Sequence, residues 1–260
     1  MPPRRTQPAT ANAPNRGLGR WLSVDFLPTT LFSLRLTHAI SKGGKTNLIP
    51  TPYSVKMALI DACFRFDPHS GPLDHAHQIF DLIKRREVRV RPPDHCVVQN
   101  TFVRVLDSAR DGDLPFKRTI AYREFVQHQG TLTLALAVAG CTPEQEQSLL
   151  QLFAHVNYLG KRGGFLQFLE ARFVDGDLPA GFTAPITGLE ALSPGIVRPM
   201  DDFGEALCAA RDGFDRISTY GSRPLNLSEH RVLIPTLIPC LQVQAARGFT
   251  WYRSASRGKA

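Results

Sequence analysis

The residues best suited to chemistry stand together at 157–165, where the chain reads NYLGKRGGF. Gly160, Gly163 and Gly164 permit positive φ and leave backbone amides unshielded, while Lys161 and Arg162 bring positive charge to the same turn. Such a loop can hold phosphates, and Tyr158 and Phe165 near its ends could stack on unpaired bases. The same residues also read as a helix C-cap followed by a solvated Lys–Arg pair and two core aromatics. The segment is not a Walker A motif, because no Ser or Thr follows the lysine to serve magnesium.

Metal-independent RNA cleavage needs a base for the 2′ hydroxyl, an acid for the leaving oxygen and cations for the phosphorane. His155, Tyr158 and Lys161 are the candidates by proximity, although His155 also suits a helix end, where positive charge meets the dipole. Residues 84–91 (KRREVRVR) gather basic side chains around Glu87, with Arg89 and Arg91 on one face and Val88 and Val90 on the other. Phosphate binding and an edge strand blunted by charge both fit that pattern. Lys42 and Lys45 in a glycine-containing loop, with Lys56 on the helix that follows, form a weaker basic set.

His75 and His77 are two apart on a predicted helix and point apart, which argues against a shared metal. Asp201 and Asp202 open another predicted helix, so capping at its positive end is preferred to metal binding. No GxSxG, HExxH or GxGxxG pattern occurs in a suitable context. No metal, cofactor or small-molecule substrate is expected.

The elements that would position these residues follow from periodicity. Residues 31–37 alternate as a strand with one wet face. Thr51 and Pro52 start a helix that runs to residue 66, with Met57, Ile60 and Phe64 as its apolar stripe. A second helix at 73–86 buries Ala76, Ile79, Phe80 and Ile83. Extended segments are predicted at 96–106, 119–127 and 131–139, the last of them central. Thr142, Pro143 and Gln145 supply a capping box for a helix burying Leu149, Leu150, Phe153 and Val156. A strand at 165–173 closes the series. This order is the ferredoxin-like (RRM-like) βαββαβ arrangement of an α+β fold. Beyond it, 201–214 reads as helix and 231–245 as regular, giving a C-terminal β-rich elaboration or small second lobe.

The chain has 260 residues, 43% hydrophobic and 21% charged, which suits a folded globular protein. No apolar run is long enough to cross a bilayer. The net charge of +8 is concentrated at the ends; outside 1–20 and 247–260 the basic residues only balance the 23 acidic ones. A nucleic-acid argument therefore rests on local clusters. Residues 1–25 and 247–260 read as flexible basic tails, with a main domain at 26–173 and an elaboration at 174–246. Five cysteines without CxxC pairs suggest neither a disulfide framework nor a zinc ribbon, and a cytoplasmic setting is expected.

Together, IPTPYSVKMALIDACFR at 49–65, TIAYREFV at 119–126 and NYLGKRGGF at 157–165 resemble the RAMP superfamily of CRISPR-associated RNA-binding proteins. Within it the chain looks most like the subunit that caps the 5′ handle of the guide RNA in type I Cascade-like surveillance complexes. The resemblance spans about residues 26–173. It implies RNA contacts from Tyr158, Gly160, Lys161, Arg162, Gly163 and Gly164, with Lys42, Lys45 and Lys56 as weaker additions. It also implies crRNA, a backbone subunit and a large subunit as partners, with target DNA nearby. The usual role is non-catalytic, and one subtype instead cleaves precursor guide RNA. A protein-interaction scaffold with basic tails is the remaining alternative.

Overall fold

A computed structural model describes residues 19–37, 43–66, 71–108, 116–187, 194–219 and 221–255. In chain order its elements are β1 (Arg20–Pro28), β2 (Gly43–Gly44), α1 (Pro52–Phe66), α2 (Pro72–Ile83), β3 (Val88–Arg91), β4 (His95–Ser108), β5 (Phe116–Gln129), β6 (Leu132–Ala137), α3 (Pro143–His155) and β7 (Leu166–Asp175). There follow β8 (Ala184–Pro185), β9 (Ile196–Phe203), the short helices α4 (Glu205–Ala209), α5 (Gly213–Ile217) and α6 (Leu227–His230), and then β10 (Arg231–Ile238), β11 (Cys240–Ala245) and β12 (Phe249–Ser254).

One antiparallel sheet has the order β3-β6-β1-β7. Read along the chain, it is strand, two helices, strand, strand, helix, strand, which is a ferredoxin-like core. A long hairpin, β4–β5, is inserted between the second and third strands of that core. It anchors a second sheet of order β11-β12-β4-β5-β2, and a third sheet has the order β8-β10-β9.

The helices form where their sequences predict. Thr51 Oγ1 accepts from Ser54 N at 3.2 Å at the start of α1. Thr142 and Gln145 make the reciprocal capping box at the start of α3. Ala76, Ile79, Phe80 and Ile83 are the buried face of α2. On α1 the buried residues are Val55, Lys56, Ala58, Leu59, Ile60, Ala62 and Cys63, with Met57 and Phe64 only partly covered.

Three expectations are corrected. The first core strand is β1, not residues 31–37, so residues 20–25, placed in a tail, are strand. β1 is covered on both faces: Leu22, Val24 and Phe26 enter the helix-side core, while Arg89 lies over Trp21 and Arg172 pairs with Asp25 opposite. Leu22, Val24 and Phe26 alternate with Ser23 and Asp25, the ordinary pattern of a strand with one apolar face, within residues expected to be a tail. Residues 31–37 alternate in burial but make only isolated bridges, Phe32 to Val126 and Arg35 to Thr46. At the other end, the tail placed at 247–260 contains β12, which fills the gap between β4 and β11. The hydrophobic core is shared by both halves of the chain, since Met200, Phe203, Leu207, Phe214 and Ile238 pack with residues of the helices and β1.

His128 on β5 holds the approach to α1. Its Nε2 donates to Leu48 O at 2.8 Å, and its ring sits 5.1 Å from that of Phe32. Burial lowers its pKa from 6.5 to about 4, against the smaller opposing effect of the Leu48 carbonyl. The folded state thus favours neutral imidazole, and the unfolded chain takes up the proton first. Stability is present above pH 6.5 and is lost as pH falls towards 4. The expected loss from this residue is about 3 kcal/mol, at about 1.4 kcal/mol per pKa unit. Urea unfolding across that window, compared with His128→Gln, measures it as the difference between the two pH slopes.

Candidate nucleic-acid interface

Helix α3 ends at His155 and β7 begins at Leu166, so the intervening residues reverse the chain within a tight space. Leu166 N donates to Asn157 O at 3.0 Å, Leu159 N to Gly164 O at 3.1 Å, and Gly164 N to Lys161 O at 3.3 Å. Gly160 and Gly163 adopt φ of 70° and 111°, which side chains resist. Gly164 is required for space, because a Cβ there would lie 2.8 Å from the Phe32 ring. Thr30 Oγ1 ties the loop down, donating to Gly163 O at 2.6 Å and accepting from Phe165 N at 2.7 Å. Lys161, Arg162 and Gly163 are exposed, and among the described residues no acceptor takes their amides. Unpaired amides beside two cations are groups suited to an anion.

Two clefts meet at Tyr158. The first, of about 720 Å³, has α1 residues Tyr53, Ser54, Met57 and Asp61 along its floor. The glycine loop forms one wall through Tyr158, Gly160 and Lys161, and the β4–β5 hairpin forms the other through Val103, Val105 and Phe125. Arg35, Arg104, Arg123, Arg231 and Lys161 line it against only Asp61 and Asp201. The second cleft, of about 660 Å³, shares Met57, Asp61 and Tyr158 and adds Arg162, Phe165 and Phe214. Lys161 and Arg162 therefore serve opposite sides of Tyr158. Arg65 lies 5.3 Å from the Tyr158 ring centre. Burial raises the Tyr158 phenol above its ordinary value and Asp61 adds to the effect, so it is a proton donor at neutral pH.

The other sequence candidates fall elsewhere. Lys42 lies outside the described residues. Lys45 is exposed but borders a separate cleft of about 140 Å³ with Glu124 and Arg198. Lys56 is corrected from a surface cation to a buried one: it is 1% exposed and binds Asp202 at 2.7 and 2.9 Å. It shares the helical stripe of Leu59, Ile60 and Cys63, which is the signal for burial. His155 does not join Tyr158 and Lys161 in the first cleft; its Nδ1 donates to Gln151 O at 2.8 Å and its ring packs edge-on to Phe66.

The arginines of 84–91 are engaged within the fold. Arg85 pairs with Glu205, Arg89 with Glu87, and Arg91 donates to Thr133 Oγ1 at 2.8 Å. Asp201 and Asp202 do not open a helix; they lie in β9, where Asp201 meets Arg231 at 3.0 Å and Asp202 meets Lys56. Their placement as a cap is thereby overturned: both pair with β10 in the sheet, and their carboxylates meet Arg231 and the buried Lys56. Tyr53, Arg104, Arg123 and Arg231 were not singled out by sequence. Tyr53 lies within the 49–65 motif, whereas Arg231 is isolated in sequence from everything it touches.

No protein-family profile and no curated protein matches the sequence. Among solved structures, a chain of the Type III-B Cmr-beta complex bound to cognate target RNA aligns with a TM-score of 0.44 and 8% identity. That alignment covers 60% of this chain and 61% of the other, less than two thirds of its length. A CRISPR protein from Archaeoglobus fulgidus aligns with a TM-score of 0.44 and 14% identity over 90% of this chain and 92% of its own. Among the described residues no helix is long and apolar enough to cross a membrane.

Removing the Lys56 ammonium leaves Asp202 buried without its partner, at an expected cost of about 3–5 kcal/mol. Burial already pushes the Asp202 carboxyl above its usual range, with Lys56 opposing. The deficit of Lys56→Met in urea unfolding should therefore shrink as pH falls and Asp202 takes a proton. Lys56→Met combined with Asp202→Leu should recover most of the neutral-pH loss.

Proposed function

We propose that this chain is a non-catalytic, RNA-binding subunit of a CRISPR RNA-guided surveillance complex, holding the 5′ handle of the guide RNA. The observation that carries the reading is the glycine loop, which presents free amides with Lys161 and Arg162 at the junction of two clefts. Its position between α3 and β7, the last helix and last strand of a ferredoxin-like core, supports it further. Phosphates would lie against the loop, and unpaired bases would enter the clefts on either side of Tyr158. The finer assignment is to a type I Cascade-like complex in the cytoplasm, with a backbone subunit and a large subunit as neighbours and target DNA nearby.

Cleavage of precursor guide RNA is less well supported. A protonated Tyr158 phenol is no general base, and the His155 ring packs on Phe66 outside the first cleft.

The test is purification of the tagged protein from its host under nuclease protection, with RNA sequencing and partner identification. The expected result is uniform RNAs sharing one 5′ end, together with related subunits. Partners without defined RNA would favour the scaffold reading. In binding assays, Lys161→Ala with Arg162→Ala should weaken affinity and flatten the slope of log K against log salt by about 1.4, at about 0.7 for each single-strand phosphate contact. An unchanged slope removes the loop from the interface.

A further inference from the structure

The first cleft contains a feature that phosphate binding leaves unexplained. Arg231, at the start of β10, places its guanidinium carbon 3.5 Å from the centre of the Tyr53 ring. At that separation only a flat stack fits, since an edge-on guanidinium would drive its nitrogens into the ring. Phe203 braces Tyr53 from a different direction, edge to face, with ring centres 5.2 Å apart. Asp201, itself buried, fixes the guanidinium in rotation by accepting from Arg231 Nη1 at 3.0 Å. Thr37 Oγ1 donates to the same carboxylate oxygen at 3.0 Å. Arg231 Nε is buried and has no acceptor among the described residues.

A guanidinium clamped in this way is more than a point charge. One face is covered by Tyr53, and the side chain, 20% exposed, lines the cleft. Planar cations of this kind take nucleobases on their free face.

We infer that Tyr53, Arg231 and Asp201 form a seat for one unpaired nucleobase, stacked on the free face of the Arg231 guanidinium. The inference rests on the RNA-binding reading above and adds a base contact, distinct from the phosphate contacts of the glycine loop. Tyr53 and Asp201 are positioning residues, and Arg231 is the group that touches the base. The plane is built before RNA arrives, so little ordering opposes the stack.

The experiment uses the full chain and the RNA recovered with it, resynthesised with a single abasic site at each position in turn. One position should show a loss of roughly 5- to 150-fold, corresponding to about 1–3 kcal/mol of stacking per base. Arg231→Lys retains a cation for Asp201 but not the plane. It should weaken the intact RNA by a similar factor and abolish the abasic penalty at that position alone, with the salt slope nearly unchanged. Lys161→Ala should do the reverse, flattening the salt slope and keeping the abasic profile. Melting temperatures of both variants establish that they fold; if Arg231→Lys does not, Tyr53→Leu carries the same test.

Salt-dependent binding with a flat abasic profile overturns the seat and leaves the RNA reading standing. A penalty that survives in Arg231→Lys overturns it too. Absence of any recovered or bound RNA overturns both.

Discussion

A lysine that water scarcely reaches governs how the two halves of the chain meet. Lys56 projects from α1 with its ammonium bonded to both oxygens of Asp202 on β9 and to the carbonyl of Lys84 just beyond α2. Bringing a charge to such a place is unfavourable unless partners surround it. The ammonium and its partners come from three separate segments, so the pair is formed only when α1, the end of α2 and β9 are all in register. Asp201 is the neighbour of Asp202, and Tyr53 lies one turn before Lys56. The ion pair therefore also fixes where Arg231 and Tyr53 confront each other. The rear of the cleft is a consequence of how that charge is accommodated.

The opposite wall has a different origin. The hairpin β4–β5 is an insertion between two core strands, and its distal part stands away from the ferredoxin-like sheet. One face carries Val103, Val105 and Phe125 towards the cleft, while Phe102, Leu106 and Ile120 on the other are 66–73% exposed. Antiparallel pairing runs continuously from His95 with Gln129 to Ser108 with Phe116, which stiffens the arm without requiring a core of its own. The segment at Gly43–Gly44 adds to β5 in parallel, and a side chain at Gly44 would collide with Arg123. Glycine at that position lets an arginine of the hairpin lie close to backbone at the cleft wall.

The sequence reveals elements whose signals are local and obscures those whose meaning lies in distant contacts. The capping box of α3 and the apolar spacing of α2 are complete within a few residues, and both helices form as that chemistry dictates. The order of the ferredoxin-like core is also legible, although its first strand is β1 rather than residues 31–37 and its second is β3, residues 96–106 forming part of the inserted hairpin instead. β1 carries a local signal, the alternation of Leu22, Val24 and Phe26 with Ser23 and Asp25, but the basic, proline-containing stretch before it reads as a tail that swallows it; Asp25 is matched only across the sheet, by Arg172. The loop at 157–165 was recognisable from glycines and cations alone. Lys56 reads as surface because its charge suggests it until Asp202 is brought to it, whereas Asp201 and Asp202 read as a helix cap because Phe203, Leu207 and Ala210 recur at helical spacing although the aspartates lie in β9. Arg231 had no local signal, because Tyr53 and Asp201 reach it only through the tertiary fold.

Net charge is correspondingly a poor guide to where this chain could hold a polyanion. The densest basic run, at 84–91, is largely neutralised by Glu87, Glu205 and Asp81 or bonded to backbone. The cations that matter lie singly on the 31–37 segment, β4, β5, β10 and the glycine loop, and the fold draws them to one cleft. Dispersed positive groups fixed by rigid elements suit the holding of an extended anionic chain, since each can meet a different phosphate or base without mutual repulsion at one point. Cleavage asks for something else: a base, an acid and a cation converging on one phosphorus. Tyr158 keeps its proton and His155 turns to Phe66, so the groups needed for cutting diverge while those needed for holding converge.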